Sequence, residues 1–327
     1  MGVKIIGTGS YVPEKVMTNA DLMKLVDTSD EWIITRTGIN ERRIASEEQA
    51  TSDLAYPAAV RALEAANINA EELDGIIMAT VTPDQPLPST ACLLQKRLKN
   101  TKAFCFDLQA ACTGMLYAVE VAHSMIQSNK KYNKILVVAA EKLSYITDWS
   151  DRNTCVLFGD GAGALVLERT ESEDDSILAT SLHADGSFAD ILKVEAGGSR
   201  IPMTAELIGS GRNCIKMDGR EVFKLAISAM EDSCREVMNE NGVTSSDIDW
   251  LVPHQANLRI MNMVAQRLKI DSERVYVNVN RYGNTSAATI GICLDEMIRG
   301  GMIQRGQIVL MTAFGGGLTW GSILLRY

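Results

Sequence analysis

Imidazole is scarce in this chain: histidine occurs three times in 327 residues, at positions 123, 183 and 254. A closed zinc site of the usual kind draws on several histidines or on paired cysteines. The seven cysteines contain no C-x-x-C pair. Their odd number fits reduced thiols better than a disulfide framework. Long apolar runs are also missing. Stretches such as 135–140 (ILVVAA) fall well short of the ~20 residues a membrane-spanning helix needs. The opening MGVKIIGTGSYVP has no long apolar stretch before a cleavage site and reads as a first strand and turn. Positive charge is in deficit, with 32 Lys and Arg against 41 Asp and Glu, a net charge of −9. Broad nucleic-acid binding needs a basic face to displace counterions, so that class is excluded, although a local basic patch for one acidic partner stays open. These absences predict a soluble cytoplasmic protein with neither a membrane nor a nucleic acid as partner.

What is present is enough apolar material for a large core, 46% of residues, in a length that suits two domain-sized units. Short runs rich in Val, Ile and Leu at 76–80, 135–140, 164–167, 308–312 and 323–325 alternate with longer helical patterns. That alternation predicts an α/β fold with buried strands. The acidic stretch 171–175 (ESEDD) is the best boundary, giving halves at 1–174 and 175–327. The halves resemble each other. NINAEELDGI (67–76) lines up with GVTSSDIDWL (242–251), FDLQAACTGM (106–115) with NVNRYGNTSA (278–287), ILVVAAE (135–141) with IVLMTAF (308–314), and GALVLER (163–169) with GSILLRY (321–327). The first three pairs share an offset of about 173 residues, far beyond a solenoid period, so the pattern predicts duplicated α/β halves. It pairs Cys112 with Asn284, each where a helix begins.

Most cysteines are small buried hydrophobes, and Cys92, Cys105, Cys155, Cys214, Cys234 and Cys293 are read that way. Cys112 differs because DLQAACTG places it between a strand-like segment (103–108) and an apolar helix (115–126). Unpaired N–H groups and the positive end of the dipole at a helix start favour the nucleophilic thiolate. His254 ends the apolar strand in WLVPHQANLR (250–259), where α/β folds gather ligand groups. His123 and His183 are read as structural. Asn284 in RYGNTSAA (281–288) is by itself an ordinary helix cap and gains interest from its pairing with Cys112. FGDGAG (158–163) and FGGG (314–317) run into strands, so neither has the strand-turn-helix setting of a dinucleotide fingerprint. Their glycines are better suited to bringing backbone N–H groups near a reacting centre.

Together these residues resemble the β-ketoacyl-[acyl-carrier-protein] synthase III family of the thiolase superfamily. The resemblance runs through IIGTGSYVPE (5–14), TNADL (18–22), DTSDEWIITRTGI (27–39), FGDGAGA (158–164), HADGS (183–187), VPHQANLR (252–259), GNTSAA (283–288) and AFGGGLTWGS (313–322), in the family's order. It implies a thiolase-like fold of two duplicated halves in a five-layered αβαβα sandwich, and a homodimer. It implies that Cys112 takes the acyl group of a primer acyl-CoA and that His254 and Asn284 stabilise the enolate formed from malonyl-acyl-carrier protein. The N–H groups of Cys112 and Gly316 would form an oxyanion hole. CoA contacts would come from Thr28, Trp32, Arg36, Arg152, Phe223 and Asn257. Carrier-protein contacts would come from Lys224, Gln255, Ala256, Asn257, Leu258, Arg259 and Arg267. No metal or cofactor is implied, acyl-CoA being a substrate.

Three features depart from the family's pattern. Leu87 stands where a phenylalanine often lines the primer pocket across the dimer interface, which predicts tolerance of primers longer than acetyl. Arg220 replaces a small polar residue near the CoA channel, and the loop 195–213 is long. Other acyltransferases of the superfamily would share Cys112, and a non-catalytic scaffold would be expected to lose one of Cys112, His254 and Asn284. A non-decarboxylating thiolase would need a second cysteine near its C-terminal end, and none follows Cys293.

Overall fold

The computed structural model describes residues 2–172 and 176–327. The boundary expected at 174/175 lies outside the described residues. The first sheet has five strands in the order Gly2–Tyr11, Gly161–Thr170, Lys134–Glu141, Gly75–Ala79 and Phe104–Leu108. Its first two pairings are antiparallel and its last two parallel. The second sheet runs Ser176–Ala184, Thr319–Arg326, Ile308–Gly315, Trp250–Pro253, with two antiparallel pairings and then a parallel one. In the fifth position it keeps one parallel bridge, Leu251 to Val275. The two sheets therefore repeat one topology, as the internal matches predicted.

The inner strands are apolar on both faces because each sheet is covered twice. In the 134–141 strand, Ile135, Val137 and Ala139 enter a central core, while Leu136, Val138 and Ala140 enter an outer one. Helices Thr51–Ala66 and Thr90–Leu98 close that outer face through Leu54, Ala58, Ala62 and Leu94. Helices Gly114–Ser128 and Ala288–Arg299 lie between the sheets, contributing Met115, Val119, Leu294 and Met297. Helices Gly219–Glu240 and Leu258–Leu268 cover the far face through Met230, Val237, Val264 and Leu268. The result is the five-layered αβαβα sandwich. Its central layer is tight. A Cβ on Gly163 would lie 2.6 Å from the Cα of Gly291, so the 288–299 helix rests directly on the 161–170 strand. The halves share this central core and are cross-tied by Thr8 and Ser10, which donate to Asp295 at 2.9 and 2.6 Å. Among the described residues no helix is long and apolar enough to cross a membrane.

In one detail the duplication differs from the sequence alignment. Ala111 and Ser286 both adopt left-handed backbone, at φ 46 and 50, each just before its central helix. Asn284 precedes that turn in its half, whereas Cys112 follows it in the other. The two are neighbours across the central layer, not equivalents. The alignment slips there because the strand before Asn284 has shrunk to a single bridge.

Candidate active site

The strand ends and helix starts of both halves meet at a cavity of about 730 Å³ lined by Cys112, His254, Asn284, Ser286, Phe314 and Gly316 among others. Cys112 occupies a short 3-10 turn, Ala111–Thr113, after the 104–108 strand. Thr319 and Thr113 tie this turn to the second half, with Thr319 Oγ1 donating to Ala110 O at 3.0 Å and Thr113 Oγ1 to Thr319 O at 3.1 Å. A Cβ on Gly315 would sit 2.6 Å from the Cys112 nitrogen, so only glycine lets the 308–315 strand end abut the nucleophile. Among the described residues, Cys112 is the cysteine that lines the cavity.

The expectation that the helix start favours thiolate is overruled in the resting site. Burial pushes the Cys112 thiol up to about 12, and the Glu141 carboxylate adds to this. The Ser286 hydroxyl, the residue's own N–H and the Asn284 amide act in the opposite direction. Desolvating an anion outweighs a few donors.

His254 extends the 250–253 strand, its N–H donating to Thr312 O at 2.8 Å. The ring is 4% exposed. Nδ1 meets Thr289 Oγ1 at 2.7 Å, and Nε2 has no partner among the described residues. Burial pushes its pKa down to about 3, so the ring is neutral and acts through one N–H and one lone pair. Asn284 bridges to the 157–159 loop, its N–H donating to Leu157 O at 2.8 Å and its carbonyl accepting from Gly159 N at 3.0 Å. Its Oδ1 accepts from Ser286 N at 2.8 Å, which orients the amide with its donor end toward the Cys112 thiol.

Three residues of the site went unread in the sequence. Glu141, closing the 134–141 strand, is fully buried. It accepts from Thr82 Oγ1 at 2.8 Å, Thr80 Oγ1 at 3.2 Å, the Val81 N–H, and Ser286 Oγ at 3.1 Å. Ser286 touches the groups around all three expected residues. Thr289 links His254 to that turn, its hydroxyl also lying 3.1 Å from Ser286 O. The available signal was an acid ending an otherwise apolar strand run.

Of the expected CoA contacts, Phe223 and Asn257 line the cavity, as does Ala256. Trp32, Arg36 and Arg152 gather beside it, with the guanidinium carbons 4.8 and 5.0 Å from the indole centroid. Asn257 Nδ2 donates to Arg36 O at 2.9 Å and joins that group to the cavity rim. Thr28 Oγ1 is buried without a partner among the described residues. Lys224, Arg259 and Arg267 are exposed. Lys224 pairs with Glu221 at 2.8 Å, Arg267 with Glu231 at 3.1 Å, and Arg259 lies over Phe223. Exposed ion pairs of this kind are weak and leave the cations available.

Gln255 departs from its expected place on the carrier-protein surface. It is 1% exposed, donates to Pro253 O and Tyr276 O, and accepts from the N–H groups of Asn278 and Val279. Its amide stands in for the ladder that the shrunken fifth strand no longer supplies. Leu258 is half-buried against a small core cluster. Leu87 is 84% exposed and lies outside the cavity of its own chain, and Arg220 is exposed at a helix start. The loop 195–213 does reach the cavity, through Ala196, Gly197, Gly198, Met203 and Asn213. His123 faces Glu120, and His183 faces Glu236 and Ser181, in structural pairings as expected.

Comparison with known proteins agrees with this fold. The family model described as 3-oxoacyl-[acyl-carrier-protein] synthase III matches residues 106–186, and its C-terminal counterpart matches residues 238–327. The chain is 53% identical to β-ketoacyl-[acyl-carrier-protein] synthase III of Aquifex aeolicus, covering 100% of both chains. It is 52% identical to that of Xanthomonas campestris pv. campestris, covering 99% of this chain and 98% of the relative. The crystal structure of the Aquifex aeolicus enzyme superposes with a TM-score of 0.93 over 100% of both chains, at 52% identity. With Cys112, His254 and Asn284 converging on one cavity inside that fold, the chain belongs to the β-ketoacyl-[acyl-carrier-protein] synthase III family.

Proposed function

We propose that this chain condenses a short acyl-CoA with malonyl-acyl-carrier protein, with loss of carbon dioxide, and so starts fatty-acid chains. The observation that carries the reading is the convergence of one thiol with two neutral hydrogen-bonding groups, His254 Nε2 and Asn284 Nδ2, at the cavity end. Cys112 attacks the acyl-CoA thioester, and the departing CoA thiol leaves an acyl-Cys112. Decarboxylation of the malonyl group then throws charge onto its thioester oxygen. Donors from His254 and Asn284 stabilise that enolate, and its carbon attacks the acyl-Cys112 carbonyl. The N–H groups of Cys112 and Gly316 suit the oxyanion of both additions. A neutral imidazole donates to the enolate from Nε2 only if Thr289 donates to Nδ1.

Trp32 offers the adenine a stacking face once an arginine moves aside, and Arg36 and Arg152 suit its phosphates. Lys224, Arg259 and Arg267 form the patch for the acidic carrier protein. The chain would work in the cytoplasm as a homodimer. The exposed Leu87 and the open edge of the 104–108 strand, with Phe104 and Phe106 half-buried along it, are the surfaces a second copy would cover. The test is a condensation assay with malonyl-acyl-carrier protein and acetyl-, butyryl- or isobutyryl-CoA, comparing wild type with Cys112→Ser, alongside light scattering for the dimer. Product from wild type alone supports the synthase. Acyl transfer onto Cys112 without condensation would make the chain an acyltransferase of another kind, and the best primer reports what Leu87 allows.

A further inference from the structure

Glu141 is a buried carboxylate that the steps above do not use. It approaches the nucleophile through one atom. Ser286 Oγ lies 3.1 Å from Glu141 Oε1, and Ser286 lines the cavity together with Cys112, whose anionic form its hydroxyl favours. Among the described residues, the other hydrogen-bond partners of the carboxylate are Thr80, Val81 and Thr82 from the 80–82 loop, all of them donors and none charged. Lys142, its chain neighbour, turns away to the carbonyls of Ser46, Glu47 and Gln49. Asp160 is engaged by Ser144 and the Ala45 N–H. His254 is turned toward Thr289 and the cavity.

We infer that Glu141 takes up the Cys112 proton through Ser286 when the thiol attacks an acyl donor. In that transfer the Cys112 S–H bond breaks and an O–H bond forms at Ser286 Oγ, whose own proton passes to Glu141 Oε1. Thiol, hydroxyl and carboxylate become thiolate, hydroxyl and carboxylic acid. One negative charge is buried before and one after. The alternative, ionising Cys112 beside a charged Glu141, would bury two negative charges together, and that costs far more in a low-dielectric site. His254 is a poor acceptor in this place because burial holds it neutral, with a pKa near 3, whereas burial brings Glu141 up to about 7. When the thioester forms on Cys112, the leaving thiolate takes a proton and the carboxylate is restored. Glu141 thus acts through Ser286 and sets the protonation of the nucleophile.

The inference rests on Cys112 being the nucleophile. Alkylation of Cys112 by iodoacetamide needs neither acyl donor nor carrier protein, so its outcome is separable from that of the condensation assay. The rate is followed by mass spectrometry of the Cys112 peptide across the neutral pH range. Wild type should show an inflection near neutrality, where Glu141 stops accepting protons. Glu141→Gln should be alkylated about tenfold more slowly near pH 7, the effect of roughly one pKa unit, with the inflection gone. A carboxylate that merely opposes the thiolate by its charge predicts the opposite sign, so faster or unchanged alkylation in Glu141→Gln overturns the inference. Ser286→Gly tolerates the left-handed backbone and leaves the bonds of Glu141 to Thr80, Val81 and Thr82 in place. It should also lose the inflection, and a retained inflection in that variant overturns the relay even if Glu141→Gln fails to fold.

Discussion

Thr289→Val tests how the site chooses its imidazole tautomer. The hydroxyl of Thr289 sits between His254 Nδ1 at 2.7 Å and Ser286 O at 3.1 Å, and the residue is 2% exposed. It carries one proton. Given to Nδ1, that proton leaves Nε2–H free to donate into the cavity; given to Ser286 O, it leaves a lone pair there. Valine is nearly the same size and removes the choice, stranding Nδ1 without a partner. Leaving a buried polar group unpaired costs about 1–3 kcal/mol. The ring can avoid part of that cost by carrying its proton where it is not needed for catalysis. If about 1.4 kcal/mol of tautomer preference is lost, decarboxylation slows about tenfold. Two assays separate the steps: release of labelled carbon dioxide from malonyl-acyl-carrier protein, and transfer of a labelled acyl group from CoA to Cys112. The expected result is slower decarboxylation with acyl transfer unchanged. Equal decarboxylation rates in variant and wild type would refute the tautomer argument, and equal loss in both assays would show a general collapse of the site.

Other substitutions follow from the same geometry. Glu141 contributes stability that is fully present below its unfolded pKa of 4.5 and is lost as pH rises through its folded value of about 7. That difference is worth about 3 kcal/mol, so the melting temperature of Glu141→Gln should gain on wild type between about pH 5 and pH 8. A variant whose melting temperature keeps a constant offset from wild type across that range would contradict the assignment. Gly315→Ala places a Cβ 2.6 Å from the Cys112 nitrogen and should lower kcat about a hundredfold by displacing an oxyanion donor; near-normal turnover would remove that N–H from the mechanism. Gln255→Ala unpairs the N–H groups of Asn278 and Val279, at about 1–3 kcal/mol each. Calorimetry should show a clear drop in melting temperature while the KM for malonyl-acyl-carrier protein stays unchanged. A raised KM with unchanged stability would return Gln255 to the carrier-protein surface.

What the sequence made legible and what it hid divide along a physical line. The strands were readable because a sheet covered on both faces needs continuous apolar runs, and ILVVAA and IVLMT supply them. Cys112, His254 and Asn284 were readable because each closes a strand or opens a helix beside a local signal, and the resemblance supplied their roles. The apparent equivalence of Cys112 and Asn284 came from a register that the missing fifth strand had shifted. Gln255 was misplaced because a motif on the surface of a sequence carries no sign of which side chain turns inward. Its neighbour Arg259 turns outward, and Asn257 turns to the cavity rim. The groups that prepare the site were hidden for a different reason. Glu141 and Ser286 are 145 positions apart, and neither has a local pattern that demands chemistry. A glutamate after VVAA looks like the polar end of a strand, and a serine after GNT looks like part of a cap. Only the packing of the 288–299 helix onto the first sheet, permitted by Gly163 and Gly291, brings acid, hydroxyl and thiol into one chain of contacts. The duplicated fold therefore does more than bring residues from two halves to one cavity. It delivers the nucleophile and the buried carboxylate from the first half, and from the second the hydroxyl through which the one reaches the other.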